Sequence, residues 1–437
     1  MKGSQFCLAC LATVLIASSS GNADIIGLPQ QQFSVDTNKR PIKKAIELLK
    51  TGTVEEAKAW LAKQFATSPN QPHSDIICAQ ILKTLGRDRE ARQVLNSLAA
   101  REPNRFDIRL VFCEMAIADS RWFDGLIHAV AAENAPPPRN WDAERIGQFR
   151  HSLSLMKAAC CEGCNDWNTA KQIYVAAAAV DDANADIFGA IGRCEFWLQN
   201  YSEARKQFLV AFSKDKTLDV ADHVMARLFA AAGQPQQAAQ YYLAAIQDAD
   251  ITGQIRARQA FAEWLLHNNH PQDIATVLAR PFENLMLDQQ RRLTLAKGDR
   301  MQRKFDSATK TLSSLHQEYP TDFQIGNQFA LVLIESPKEA LRSRALQIAE
   351  TNVRNHSDFS EASSTLGWIQ FKLGDIESAK KNMSRGMSTG VVSRDTAWQM
   401  AQLHKHVGNT TAAAELTRAS KSAKGPFFAG PFFAGSE

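Results

Sequence analysis

Residues 191–212 read IGRCEFWLQNYSEARKQFLVAF, and residues 225–246 read MARLFAAAGQPQQAAQYYLAAI. When the two stretches are aligned with an offset of 34 residues, small residues align with small residues and aromatic residues with aromatic residues. The coinciding pairs are Ala204 with Ala238, Phe208 with Tyr242, and Ala211 with Ala245. Self-similarity at a fixed period of this length is the sequence signature of an array of repeated structural units.

The same period extends along most of the chain. Small or aliphatic residues recur in one phase, and seven of the ten gaps between them are 34 residues, the others being 45, 36 and 37. The residues in this phase are Ala57, Ala91, Gly125, Ala170, Ala204, Ala238, Ile274, Ala308, Ala345, Ala379 and Ala413. Apolar residues within each unit lie at i, i+3, i+4 and i+7, and turn residues such as Gly233 and Pro235 follow them. Each unit is therefore predicted to contain two amphipathic helices.

These features resemble the tetratricopeptide repeat (TPR) family. The clearest copy, LGWIQFKLGDIESAKKNM, has the family's Leu-Gly pair at Leu366 and Gly367, a turn at Gly374, and a small residue at the twentieth position, Ala379. The resemblance covers about residues 38–422 and implies an all-α fold, a right-handed superhelical α-solenoid of about 11 helix-turn-helix repeats. Small residues are needed where two helix backbones approach to about 8–10 Å.

Some units depart from the pattern. Ile274 replaces the small residue of the seventh unit, and LIESPKEALRSRA lengthens the turn of the ninth. Before the fourth unit, Pro136 to Pro138 stop a helix because proline has no donor N–H. We therefore assign residues 38–139 to repeats 1–3, residues 140–150 to an insertion that follows these prolines, and residues 151–422 to repeats 4–11. The insertion either divides the solenoid into two subarrays or forms a solvated loop on a continuous superhelix.

The N-terminus has the pattern of an export signal. Lys2 precedes a 12-residue apolar run, Phe6 to Ala17, and small residues follow it. We assign residues 1–23 to a signal peptide, with a mature chain that begins near Asp24, and residues 24–37 to a linker. A run of this length is too short to span a bilayer of about 30 Å, so no stable transmembrane span is expected, although a retained anchor is the alternative. The expected location is periplasmic or extracellular, including association with the cell envelope.

The C-terminal residues 423–437 contain a duplicated motif. The sequence PFFAG occurs twice in succession, and its glycines and prolines are unsuited to a helix. We assign residues 423–437 to a flexible tail, and the alternative is a short strand-like ligand for a groove.

The concave surface is the candidate binding site that the resemblance implies, because family members hold extended peptides there against the first helix of each repeat. The ninth positions of successive units form one line along this surface: Arg193, Arg227, Glu263 and Lys297. Since most of them are basic, they suit a partner with spaced carboxylates. Alternatively they are solvated residues of an exposed face. The Lys and Asn clamp of some family members is not evident. Aromatic residues are further candidates for binding: Trp368, Phe371 and Trp398.

The stretch CCEGC, residues 160–164, raises the question of cysteine chemistry. In repeat phase it lies at the end of the fourth unit's first helix, where Cys161 suits a packing position. Cys164 is three and four residues from Cys161 and Cys160, so the three are candidates for a disulfide. Inert packing and a metal-binding or catalytic thiol are the alternatives.

Composition and motifs favour an interaction protein. Fifty Lys and Arg against 46 Asp and Glu leave a formal net charge of +4, without the basic stripe that nucleic acid binding requires. No catalytic or phosphate-binding motif occurs, and we expect no enzyme activity, no cofactor and no metal. The prediction is a non-catalytic scaffold of the cell envelope or exterior that holds a protein or peptide, including an acidic one, in its groove. The alternatives are a cysteine-based redox or metal-handling factor and a polysaccharide-recognising envelope component. The sequence does not indicate an oligomeric state.

Overall fold

Helices form the secondary structure of the described chain. The computed structural model describes residues 39–66, 68–248, 251–387, 390 and 392–428. These residues contain 22 α-helices and one 3₁₀ turn, and no strand. The predicted signal peptide and linker, residues 1–37, and the second copy of the tail motif lie outside the described residues. The chain divides into two compact units, residues 1–228 and residues 229–437.

Unit 1 is a stack of helical hairpins in which each helix packs mainly against the next one in the chain, and α5 also contacts α7. Its helices are α1 (Arg40–Thr51), α2 (Val54–Phe65), α3 (Ser74–Thr84), α4 (Asp88–Arg101), α5 (Phe106–Ala118), α6 (Trp122–Glu133), α7 (Ala143–Gly163), α8 (Trp167–Ala178), α9 (Ala185–Trp197) and α10 (Tyr201–Lys214). The next helix, α11 (Ala221–Ala231), contains the boundary between the two units.

Unit 2 has the same sequential packing, with additional contacts between first helices of neighbouring hairpins, as between α19 and α21. Its helices are α12 (Pro235–Asp248), α13 (Ile251–His267), α14 (Ile274–Val277), α15 (Leu285–Met301), α16 (Phe305–Glu318), α17 (Phe323–Leu333), α18 (Glu339–Asn355), α19 (Ser360–Leu373), α20 (Ile376–Gly386), α21 (Arg394–His406) and α22 (Thr410–Ser422). A 3₁₀ turn at Pro271–Asp273 precedes α14.

The small residues of the 34-residue phase all occupy the second helix of a hairpin. Every one of them is buried, from Ala57 on α2 to Ala413 on α22. At Gly125 on α6, an added methyl group would lie 2.7 Å from the sulfur of Cys160, so even alanine would crowd the facing helix. The prediction of an all-α solenoid of helix-turn-helix repeats is confirmed for the described residues.

The irregular seventh hairpin compensates for its large residue. Its second helix, α14, is only four residues long and carries the fully buried Ile274. Opposite lies Gly298 of α15, where an added methyl would be 3.2 Å from Ile274 Cδ1. A large residue in place of the small one is therefore accommodated by a glycine on the helix that it faces.

The residues assigned to the insertion, 140–150, are mostly helical, because α7 begins at Ala143. Asp142 accepts the backbone N–H of Arg145 at 2.8 Å and caps α7, which then runs 21 residues. The short connection before it is attached to an earlier turn, because the backbone of Asn70 donates to the Asn140 carbonyl at 2.8 Å and Trp141 Nε1 donates to the Gln71 carbonyl at 3.0 Å. Since α6 packs on α7, the stack within unit 1 continues past the prolines.

No helix in the described ranges combines the length and the apolar character needed to cross a membrane.

Candidate functional site

The C-terminal segment 425–428, which we call the tail anchor, lies against three hairpins of unit 2. It contacts the turn after α13 and the helices α15 and α21. The Phe427 N–H donates to Asn269 Oδ1 at 3.0 Å, and the Phe428 N–H donates to Asp395 Oδ1 at 2.8 Å. The Gly425 carbonyl accepts from the side chains of Asn269 and of one arginine at 3.4 Å each. We call the contacting residues the tail site: Asn269, Arg300, Arg394, Asp395 and Trp398.

Gly425 allows the chain to turn into the tail site. It is buried, and its φ of +115° lies in the region that residues with a side chain rarely adopt. A methyl group added at Gly425 would point towards the His267 ring. Burial and the charge of Lys424 lower the pKa of the His267 imidazole. The tail therefore needs glycine at the point where it leaves α22.

Asn269 reaches the tail from the turn after α13. It has a φ of +61°, a conformation in which asparagine is several-fold enriched among residues other than glycine. The following N–H, of His270, donates to the Leu265 carbonyl at 2.8 Å and closes this turn. The left-handed residue thus places one amide side chain beside both Gly425 and Phe427.

Arg394 and Asp395 belong to the first turn of α21. Ser393 caps this helix by accepting the Thr396 N–H at 3.1 Å. Arg394 Nε donates to the Ser420 carbonyl at 2.9 Å, and Ser420 Oγ donates back to the Arg394 carbonyl at 2.9 Å. These reciprocal bonds to α22 hold the Arg394 guanidinium 4.8 Å from the centre of the Phe427 ring.

Arg300 forms the buried floor of the tail site. Its side chain is only 6% exposed, Nη1 donates to Gln328 Oε1 at 2.7 Å, and Nη2 is 3.7 Å from Asp395 Oδ2. Burial lowers the pKa of Arg300 despite the nearby carboxylates. The guanidinium lies 4.8 Å from the centre of the Phe428 ring, within the range of a cation–π contact. Asp395 thus contacts both a tail amide and a buried cation.

The predicted aromatic residues meet at the other side of the tail anchor. The Trp398 ring makes T-shaped contacts with the Phe427 ring, at a centroid distance of 6.2 Å, and with the Trp368 ring, at 5.6 Å. Phe371 packs on Trp368 at 5.5 Å. Trp368 is buried, whereas Trp398 is half-buried, so the direct contact with the tail comes from Trp398 alone among the three.

Two of the four residues predicted to line the groove lie close together in unit 2. Lys297 on α15 is flanked by the carboxylates of Glu361 and Glu263, which oppose the lowering of its pKa by burial. Glu361 in turn accepts from Asn327 Nδ2 at 2.9 Å. Lys297 is one helical turn from Arg300. The predicted line of ninth-position residues therefore passes next to the tail site, although none of its members belongs to that site.

The other two, Arg193 and Arg227, belong to unit 1 and do not form a free cationic surface. The Arg193 side chain is only 11% exposed, and its guanidinium makes two hydrogen bonds to Glu162, at 2.6 and 3.2 Å. Burial opposes the charge of Arg193, but the pair with Glu162 outweighs it and raises the pKa of the arginine. Arg227 is exposed and lies 3.2 Å from Asp219. The charge of Arg193 is therefore already paired inside the hairpin stack.

The cysteines of the CCEGC stretch are free thiols in this structure. Cys160 and Cys161 are buried on α7, and Cys164, which follows its last residue, is exposed. A hydrogen bond with Cys113 and burial raise the pKa of Cys160, and burial raises the pKa of Cys161 to about 11. Thiols with such raised pKa values are poor nucleophiles at neutral pH. Within the described ranges, no three His, Cys, Asp or Glu side chains are placed to hold a metal ion together.

Comparison with known proteins gives structural similarities only. No protein-family model matches the chain, and no curated protein is similar enough in sequence to count as a match. Several of the solved structures that it resembles are TPR proteins. A thermophilic TPR protein of Thermus thermophilus is 11% identical with a TM-score of 0.34, and the match covers 38% of this chain and 89% of that one.

Two further structures show the same level of similarity. The C-terminal part of a TPR repeat-containing protein of Cytophaga hutchinsonii is 15% identical, covers 53% of this chain and 93% of its own, and has a TM-score of 0.36. The human IFIT1 dimer with m7Gppp-AAAA is 14% identical, covers 91% of this chain and 84% of its own, and has a TM-score of 0.31. These values are too low to bear on function.

Sequence reasoning missed most of the tail site. It singled out Trp398 but not Asn269, Arg300, Arg394 or Asp395, which come from three different hairpins. The duplicated PFFAG motif was the signal that pointed to the site, because it left a ligand-like tail as one alternative. Of that tail, residues 425–428 make the contacts given above.

Proposed function

We propose that the chain is a non-catalytic scaffold that binds an extended segment of a partner protein in the tail site of unit 2. The observation that carries this proposal is the tail anchor itself. Two consecutive backbone amides, those of Phe427 and Phe428, are each accepted by a side chain of the scaffold. Side chains that satisfy the backbone of a segment hold it in an extended conformation, whereas pockets for its side chains select its sequence.

The contacts favour a partner segment with neighbouring aromatic residues. The guanidinium groups of Arg394 and Arg300 lie over the rings of Phe427 and Phe428, each 4.8 Å from the ring centre. Such a contact contributes about 0.5–2 kcal/mol, depending on how far water is excluded. An acidic partner, expected from the line of basic residues, receives less support, because Arg300 and Lys297 already lie beside carboxylates.

A location outside the cytoplasm is part of the proposal. It is supported by the sequence of residues 1–23, with Lys2 before the apolar run and small residues after it. N-terminal sequencing of the protein recovered from the producing cells tests it. A mature chain that begins near Asp24 in an envelope or exterior fraction is the expected result, and an intact N-terminus in the cytoplasmic fraction would contradict it.

The binding function is tested with a fluorescent peptide, Gly-Pro-Phe-Phe-Ala-Gly, and the full chain carrying F427S, F428S, F432S and F433S, which removes the internal ligand. Saturable binding in fluorescence anisotropy is expected. The control peptide Gly-Pro-Ser-Ser-Ala-Gly has the same backbone without the rings and should bind at least tenfold more weakly.

A matched pair of variants at Asn269 locates the binding. N269G keeps the left-handed turn but removes the side chain, and N269D keeps an acceptor for a peptide N–H. In the background without the internal ligand, N269G should weaken the peptide by about 1 kcal/mol, the typical net value of a hydrogen bond, and N269D by less. Failure of the ligand-free chain to bind the peptide would overturn the proposed function.

A further inference from the structure

The repeated part of the tail sequence contains every group that the tail site contacts. The tail anchor supplies the Gly425 carbonyl, the two amide groups and two rings of the phenylalanines, and a glycine at positive φ. Five residues later, Gly430, Pro431, Phe432 and Phe433 repeat the order of Gly425, Pro426, Phe427 and Phe428 without a change. The second copy therefore carries the same donors, acceptor and aromatic rings in the same order.

We infer that the tail site has two interchangeable ligands in its own chain, and that a partner segment must compete with both. This inference rests on the proposed function and concerns the regulation of the same site. The occupant is the chain's own segment 430–433, which replaces the tail anchor by a shift of five residues. A second chain is a weaker source of the same motif, because a short tether gives an effective concentration on the order of millimolar.

The relative weight of the two copies follows from the length of the tether. From Ser422, the last residue of α22, the chain runs five residues to Phe427 and ten to Phe432. Doubling the length of a flexible loop disfavours its closure by about threefold. The first copy is therefore the preferred occupant, as in the structure, and the second occupies the site in a minority of molecules.

Two copies have a consequence that one copy cannot have. When the first is removed, the second takes its place, so the site stays mostly closed to a partner. When both are removed, the site opens completely. The affinity for an external peptide should therefore respond to the two changes together far more strongly than the product of the separate changes.

The experiment measures the affinity of the Gly-Pro-Phe-Phe-Ala-Gly peptide for four full-length proteins. These are the unchanged chain, the first-copy variant F427S/F428S, the second-copy variant F432S/F433S, and the variant with all four changes. Given a threefold preference for the first copy, its removal should tighten peptide binding about fourfold and removal of the second about 1.3-fold. Removal of both should tighten binding by well over tenfold.

The outcomes separate this inference from the proposed function. If the variant with all four changes binds the peptide and the first-copy variant binds it with the same affinity, the second copy is not a ligand. In that case only the inference fails. Equal affinity of all four proteins would also overturn the inference. If the variant with all four changes does not bind the peptide, while its circular dichroism and melting temperature match those of the unchanged chain, the proposed function itself fails.

Discussion

The carboxylate of Asp395 joins the Phe428 amide, at 2.8 Å, to the buried guanidinium of Arg300, at 3.7 Å. Removal of this carboxylate leaves a buried cation without its nearest anion and a tail amide without its acceptor. We expect D395A to lower the free energy of unfolding by about 1–3 kcal/mol, the cost of an unsatisfied buried polar group.

The matched control is D395N, which keeps an oxygen at the position that accepts the Phe428 N–H while removing the charge. Its loss of stability should be smaller than that of D395A. Urea denaturation followed by circular dichroism measures both. Stability unchanged in both variants would show that the contact has no energetic role.

The pair of Arg193 and Glu162 in unit 1 should be structural and not a binding site. R193M leaves the Glu162 carboxylate buried without its cation, and breaking a buried ion pair from one side typically costs about 3–5 kcal/mol. The double variant R193M/E162M removes both charges and should recover part of that loss, because the buried Tyr174 hydroxyl then lacks the Glu162 carboxylate that accepts it at 3.2 Å. The midpoint of urea unfolding distinguishes these cases, and a single variant as stable as the unchanged chain would disprove the role.

The packing around two helical glycines gives opposite predictions for their replacement by alanine. At Gly367 on α19 an added methyl would lie 2.9 Å from the Met383 backbone nitrogen and 3.0 Å from the Ala379 carbonyl oxygen, neither of which can move freely. G367A should therefore cost about 1–3 kcal/mol.

The control for this prediction is Gly189 on α9, around which an added methyl meets nothing within 4 Å. G189A should stabilise the chain by up to about 1 kcal/mol, because alanine loses less conformational freedom in a helix than glycine. Thermal unfolding of both variants gives the comparison, and shifts of the same sign would contradict the close packing described at Gly367.

These positions show how far the sequence determines the structure. A period of 34 residues with a small residue in one phase predicts the helical hairpins, since close helix packing requires that residue at each step. It does not predict the tail site, because Asn269, Arg300 and Asp395 belong to different hairpins and no spacing rule relates them. The repeat period also did not predict that α7 begins at Ala143, before the fourth repeat assigned from residue 151, although the sequence shows the capping residue Asp142.

Cys164 should be the reactive thiol of the six cysteines that the structure describes. It is exposed, whereas Cys78, Cys113, Cys160, Cys161 and Cys194 are buried. Partial burial and neighbouring groups raise its pKa, so its alkylation by iodoacetamide should still accelerate above pH 9. By then free cysteine, with a pKa of about 8.5, is mostly thiolate.

Peptide mapping after alkylation of the folded protein without reduction measures this reactivity. Modification of Cys164 in preference to the five buried cysteines is the expected result. An unmodified Cys164 that becomes reactive after reduction would reveal a disulfide and contradict the free thiol of the structure.

Photochemical crosslinking from the tail tests directly whether Phe427 lies in the tail site. The photoreactive residue p-benzoylphenylalanine replaces Phe427 in the full chain, and the products of irradiation are mapped by mass spectrometry. Crosslinks are expected to the turn at Asn269 and to the first two turns of α21, from Arg394 to Trp398, because these residues surround Phe427. Crosslinks that are absent, or scattered over unrelated surfaces, would contradict this placement of Phe427.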